Sequence, residues 1–200
     1  MSKQELPSDG HFRTFCQRSM TRVVKYLLFV ILALLSSSAF AEIDKTATPN
    51  DKGFSLYWWP KIAAPAGWHQ DKDYSFHDNI NAFAPDHYTF NNAVTVIYAK
   101  ADYKPRLPEI KSIEQLIDSD KKQFLSDYPG LEIKEVQPII TSDGKSLRSL
   151  AFAPTGKGNW ERVSYGEEGD FYLTFAISSR SLKDYQATEK IYEDFVRGYK

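Results

Sequence analysis

The sequence predicts an α+β domain, an antiparallel sheet layered with two main helices. Three observations predict it. Strand-like segments follow one another across short turns, notably at Asp143-Gly144 and Glu167-Glu168-Gly169-Asp170. Two longer segments carry an apolar stripe at helical spacing. Strands and helices do not alternate regularly, as a doubly wound sheet would require. At 200 residues, with 42% hydrophobic and 26% charged positions, the chain has the length and composition of one globular domain with short additions.

The chain opens on a segment with an export pattern. Arg22 and Lys25 precede an unbroken apolar run from Tyr26 to Leu35, which leads into Ser36-Ser37-Ser38-Ala39-Phe40-Ala41. A basic stretch, a short apolar stretch and small residues at Ala39 and Ala41 predict a signal peptide cut before Glu42. A membrane-spanning helix needs about 20 apolar residues, and this run covers about half of that. Residues 1–41 are therefore read as leader and signal peptide, touching the membrane only during export. Translation is expected to start at Met20, because Met1 to Ser19 is polar and carries Pro7 and Gly10. The destination is a periplasm or the medium.

Cys16 is the single cysteine and lies in that leader, so the mature chain has neither disulfides nor cysteine–metal sites. Cleavage removes five basic and two acidic residues and takes the net charge from −1 to −4. With no basic excess, nucleic acid is not an expected partner.

Residues 42–52 are polar, contain Pro49-Asn50-Asp51, and read as a flexible tether before a single domain at 53–200. Phe54 to Trp59 reads as a strand, Pro60 to Gly67 as a turn, and Trp68 opens a second extended segment. Ala93 to Ala99 is a β-branched strand ended by Pro105 and Pro108. Ser112 to Tyr128 is the first helix. Ser112-Ile113-Glu114-Gln115 forms a capping box, and Ile113, Leu116, Ile117, Phe124 and Tyr128 make its stripe. Leu131 to Ile140, Leu147 to Phe152, Trp160 to Tyr165 and Phe171 to Ser178 read as four strands. In the last, Phe171, Leu173, Phe175 and Ile177 alternate with Tyr172, Thr174, Ala176 and Ser178. Leu182 to Tyr199 closes the chain as a helix.

The order of these elements, with the turn Pro65-Ala66-Gly67-Trp68 entering a strand, resembles the PsbP-like superfamily. That group includes the extrinsic PsbP proteins of photosystem II, the nuclear Ran-release factor and DcrB-type proteins of the bacterial envelope. The resemblance implies a sheet sandwiched by helices and a binding or assembly role without catalysis. It implies no particular ligand residues.

The candidate chemistry is sparse. His69, His77 and His87 lie among Asp71, Asp73, Asp78 and Asp86 and offer a metal-dependent enzyme as one alternative, but no two have a spacing that fixes both on one face. Glu167, Glu168 and Asp170 share one turn, so their environments do not separate a general acid from a base. Thr155-Gly156-Lys157-Gly158 lacks phosphate-loop spacing and reads as a hairpin loop. No catalytic residue, metal site or cofactor is expected. Trp58 and Trp59 are adjacent in a strand and must face opposite ways. Trp59, Trp68 and Trp160 are the candidate binding residues, since indoles stack on sugars, bases and proline-rich peptides. The expected function is an exported, soluble, non-enzymatic binding or accessory protein of the cell envelope, with an unidentified protein or small ligand as partner. A purely structural envelope component is the other alternative.

Overall fold

The computed structural model of the chain describes residues 43–51 and 53–200. Met20, Cys16, Ala39, Ala41 and Glu42 lie outside the described residues, and with them the leader, export and cleavage readings.

Among the described residues, β1 (Ile43–Asn50) and β2 (Gly53–Pro60) form a two-stranded antiparallel pair. A second, seven-stranded sheet follows, built from β3 (Trp68–Gln70), β4 (Asn81–Pro85), β5 (Thr95–Tyr103), β6 (Glu132–Ile140), β7 (Ser146–Ala153), β8 (Trp160–Glu168) and β9 (Phe171–Ser179). Its spatial order is β3-β4-β5-β9-β8-β7-β6, with every neighbouring pair antiparallel. The helices are α1 (Lys72–Asp78), α2 (Ile113–Asp127) and α3 (Leu182–Arg197). The α+β class is as the sequence predicts.

Two segments differ from expectation. Residues 43–50, expected within a tether, pair along their whole length with β2. The short link between Asn50 and Gly53, whose φ is +121°, reverses the chain there. Pro49 lacks a ladder donor, which is tolerated in so small a sheet where a strand edge is open. Helix α1 is also new. Asp71 supplies its N-cap, its side chain accepting from the Tyr74 amide, but seven residues are too few to show a helical stripe.

β9 is the middle strand, and all nine of its residues are buried. Period two divides it. Leu173, Phe175 and Ile177 stand opposite Ala101, Ala99 and Ile97 of β5 and pack beneath Tyr192, Phe195 and Val196 of α3 and Tyr199 just past its end. On the other face, Leu150, Phe152, Val163 and Tyr165 pack under Leu116 and Ile117 of α2. The two helices start where the sequence sets them, Ser112 and Ser181 each accepting from the amide three residues on. The Tyr192 hydroxyl fixes α3 in depth, 2.8 Å from Ser164 Oγ and 2.9 Å from the Phe175 carbonyl, to which it donates.

Candidate functional site

The site arises from the smaller side chains on the second face of β9. Register places Ser178 between Val96 of β5 and Glu161 of β8, and Ala176 between Tyr98 and Val163. Neither Ala176 nor Ser178 fills the layer above the sheet. Helix α2 covers the β7 and β8 side of this face. Phe90 packs on Ala84, Ala93 and Val96 at the β4 and β5 side. At the Ser178 end an open cleft of about 180 Å³ remains, bounded by Tyr74, Phe90, Val96, Tyr98, Asn159, Ser178 and Arg180 among others.

One carboxylate sets the aromatic wall. Asp71 Oδ1 accepts from the Tyr74 amide at 3.1 Å, and Oδ2 accepts from the Phe90 amide at 2.9 Å. The two backbones it holds bring their rings into a stack, with centroids 4.2 Å apart at 27°. Phe90 then meets Tyr98 edge to face at 6.3 Å. Burial first, then the Asp78 carboxylate, raises the Tyr74 phenol above its ordinary value.

The polar side is a chain of hydrogen bonds. Asn159 Nδ2 donates to Ser178 Oγ at 2.9 Å, and Ser178 Oγ donates to Glu161 Oε1 at 2.8 Å. Glu161 is half-buried behind Ser178 and Asn159. Desolvation pushes its carboxyl up to about 7, against the Ser178 hydrogen bond that lowers it. Asp120, reaching in from α2, is raised by burial as well. Glu161 stands behind Ser178, which lines the cleft, and is not itself one of the lining residues. At the opposite rim the Arg180 guanidinium donates to the carbonyls of Asn92 at 3.1 Å and Ala93 at 2.6 Å.

No protein-family model and no curated protein matches this chain.

The sequence candidates are spread around the fold. Trp59 is 5% exposed and packs on Tyr57 and Phe76 at 5.8 and 5.4 Å. Its neighbour Trp58 points the other way, with the Arg106 guanidinium 4.0 Å from its ring centre. Trp68 is half-buried and borders a separate cleft with Tyr88, Asp184 and Thr188. Trp160 is half-buried against the α3-covered core. The three indoles therefore do not line one surface. His69 Nδ1 is 3.6 Å from Asp86, and exposed His77 Nδ1 is 3.2 Å from Asp78. His87 is exposed in a turn at φ +71°. Among the described residues no three His, Cys, Asp or Glu side chains converge as metal ligands. Glu167 pairs with Lys104 at 2.9 Å, and Glu168 with Lys145 and the Tyr199 hydroxyl at 3.1 and 2.7 Å. No described helix is long and apolar enough to cross a membrane.

Sequence reasoning missed Glu161, Ser178, Tyr74 and Phe90. The readable signal was the polar residue at an inward position. Period two aligns Glu161 with buried Val163 and Tyr165.

Proposed function

We propose that this chain is an exported, non-catalytic binding domain of the cell envelope that holds a small organic ligand in the cleft beside Ser178. The observation that carries the reading is an aromatic wall fixed by Asp71, facing a hydrogen-bonded polar floor that ends on Glu161. Ligand sites combine apolar and aromatic walls with a few oriented polar groups, and this cleft has both. Among the described residues Glu161 is hydrogen-bonded only to Ser178, with no histidine or second carboxyl in that chain, which favours holding a ligand over acid–base chemistry. The pattern from Arg22 to Ala41 supports export, and the resemblance to PsbP-like proteins supports a role without catalysis.

Two measurements test the reading. Fractionation of bacteria expressing the full chain should place the protein outside the cytoplasm with Glu42 at its amino end. Intact chain confined to cytosol would overturn the address. Thermal-shift screening of the purified protein against small amines, acids and sugars should find stabilising compounds. Their effect should disappear in Asn91→Trp, because Asn91 is exposed on the rim and an indole there would occupy the mouth. Equal stabilisation of both proteins would show that the cleft is not the site.

A further inference from the structure

We infer that the cleft beside Ser178 takes a single-ring aromatic carboxylate, its carboxylate on Arg180 and its ring against the wall of Tyr74 and Phe90. The inference rests on the binding reading above and names the chemistry of its ligand. Arg180 comes one residue after β9, and its amide donates to the Val94 carbonyl at 3.0 Å, which extends the β5–β9 ladder by one pair. Period two therefore sets its side chain on the face of Ala176 and Ser178, where it borders the cleft. There Nη2 donates to the Asn92 and Ala93 carbonyls at 3.1 and 2.6 Å, which fixes the plane of the guanidinium. Phe90 packs on Ala93 as well, so the guanidinium and the aromatic wall share Ala93 as a neighbour.

Two observations call for an anion. Among the described arginines, Arg148, Arg162 and Arg197 pair with carboxylates and Arg106 lies on the Trp58 ring, but Arg180 has neither kind of partner. Among the described residues its Nε and Nη1 are therefore left to donate. The other described residues bordering the cleft are uncharged, being aromatic, aliphatic, serine or asparagine. Asn159 Nδ2 spends one of its two hydrogens on Ser178 and keeps the second. One cation balances one negative charge, which favours a carboxylate over a phosphate dianion. The rest of the wall selects the body of the ligand. Rings gain on Phe90 and Tyr98 beyond what burial alone gives, so an aromatic body is preferred to an aliphatic one. At about 180 Å³ the cleft is smaller than the sites of drug-sized ligands, which suits one ring on a short arm.

The test is titration calorimetry with phenylacetate, at about pH 6, on protein purified from cells expressing the full chain. At that pH the Glu161 carboxyl behind Ser178, pushed up to about 7, is mostly protonated and opposes an anion little. Phenylacetate should bind, and its neutral isostere phenylacetamide and the cation phenethylamine should bind about tenfold or more less tightly. Arg180→Gln should weaken phenylacetate about tenfold or more, although it also frees the Asn92 and Ala93 carbonyls. A second pair of variants leaves Arg180 in place. Val94 is 45% exposed and stands opposite Arg180, within reach across the ladder. Val94→Asp gives the guanidinium a carboxylate of the protein's own, and Val94→Asn has the same shape without the charge. Phenylacetate should bind Val94→Asp about tenfold more weakly than Val94→Asn. Phenylacetamide or phenethylamine binding as well as phenylacetate, unchanged binding in Arg180→Gln, or equal binding to the two Val94 variants overturns the inference. No binding of phenylacetate to the parent overturns it too. The broader reading then stands or falls separately, on whether other compounds stabilise the protein in a way that Asn91→Trp abolishes.

Discussion

Arg162 is a cation on a β strand with 5% of its side chain exposed, and three contacts explain why it is there. Its Nη1 donates to Glu189 at 3.1 Å and Glu193 at 2.8 Å on α3, and Nη2 donates to the Gln137 carbonyl at 3.0 Å. Register shifts in β6 between Val136 and Ile139, so Gln137 lies in a bulge whose carbonyl needs a donor from outside the ladder. Arg162 Nε itself is buried without a partner among the described residues, so the arrangement is a fastening with a residual cost. Arg162→Ala should lower stability by about 1–3 kcal/mol, since it removes the stem's packing and leaves the Gln137 carbonyl without its donor. Arg162→Met keeps the stem's packing and leaves two glutamates that are 41% and 25% exposed, so its loss should be smaller. Urea unfolding midpoints would check both. Equal losses would show that packing by the stem contributes little.

At the scale of elements, Gly166 on β8 is fixed by contact, because a Cβ there would stand 2.3 Å from Leu147 Cδ2. Leu147 is 1% exposed, so its Cδ2 would have to shift inside the packed core. Gly166→Ala should destabilise by about 1–3 kcal/mol through overpacking, and Gly166→Ala with Leu147→Ala should lose less than the sum of its two single changes. Thermal melts of the single and double variants would decide it. A single variant as stable as the parent would mean that β8 and β7 shift apart freely.

Helix α1 depends on one cap. Asp71→Ala should cost about 0.5–2 kcal/mol and separate the Tyr74 and Phe90 rings, which hydrogen exchange at the Tyr74 and Phe90 amides would report as faster exchange. These elements also show what was readable. Ser112 announces α2 because a cap and a helical stripe coincide in sequence, and β9 announces itself by alternation from Phe171 to Ser178. Strand β1 was hidden by Pro49 and by polar composition, since its pairing with β2 lies in partner contacts rather than in its own pattern. The cleft was hidden for a related reason. Asp71 and Phe90 are 19 positions apart, and Glu161 and Ser178 are 17 apart, so only the fold brings them together.

For the molecule as a whole, these carboxyls set an acid-side stability maximum. The folded state raises Glu161 from 4.5 to about 7 and raises Asp120 in the same direction, both chiefly through desolvation. A raised carboxyl means that the folded state holds the proton more tightly than the unfolded chain. Its favourable contribution is complete below the ordinary value and is lost as pH climbs through the folded value. Glu193 and Asp143 work the opposite way. Burial opposes them, but hydrogen bonds from Arg162 and Arg197 to Glu193, and from Thr141 and Lys145 to Asp143, hold each below its ordinary 4.5 or 3.8. What they contribute is present above those values and is lost as pH falls beneath them. The two sets meet near pH 5. The melting temperature should peak there and fall by about 5–10 °C toward pH 8, an upper bound of about 3 kcal/mol for Glu161 alone. Glu161→Gln should flatten the curve between about pH 5 and pH 8 and leave the decline below about pH 4 intact. A parent protein whose melting temperature holds level from about pH 5 to pH 8 would show Glu161 fully solvated in the folded state, and the polar floor of the cleft would then be ordinary surface.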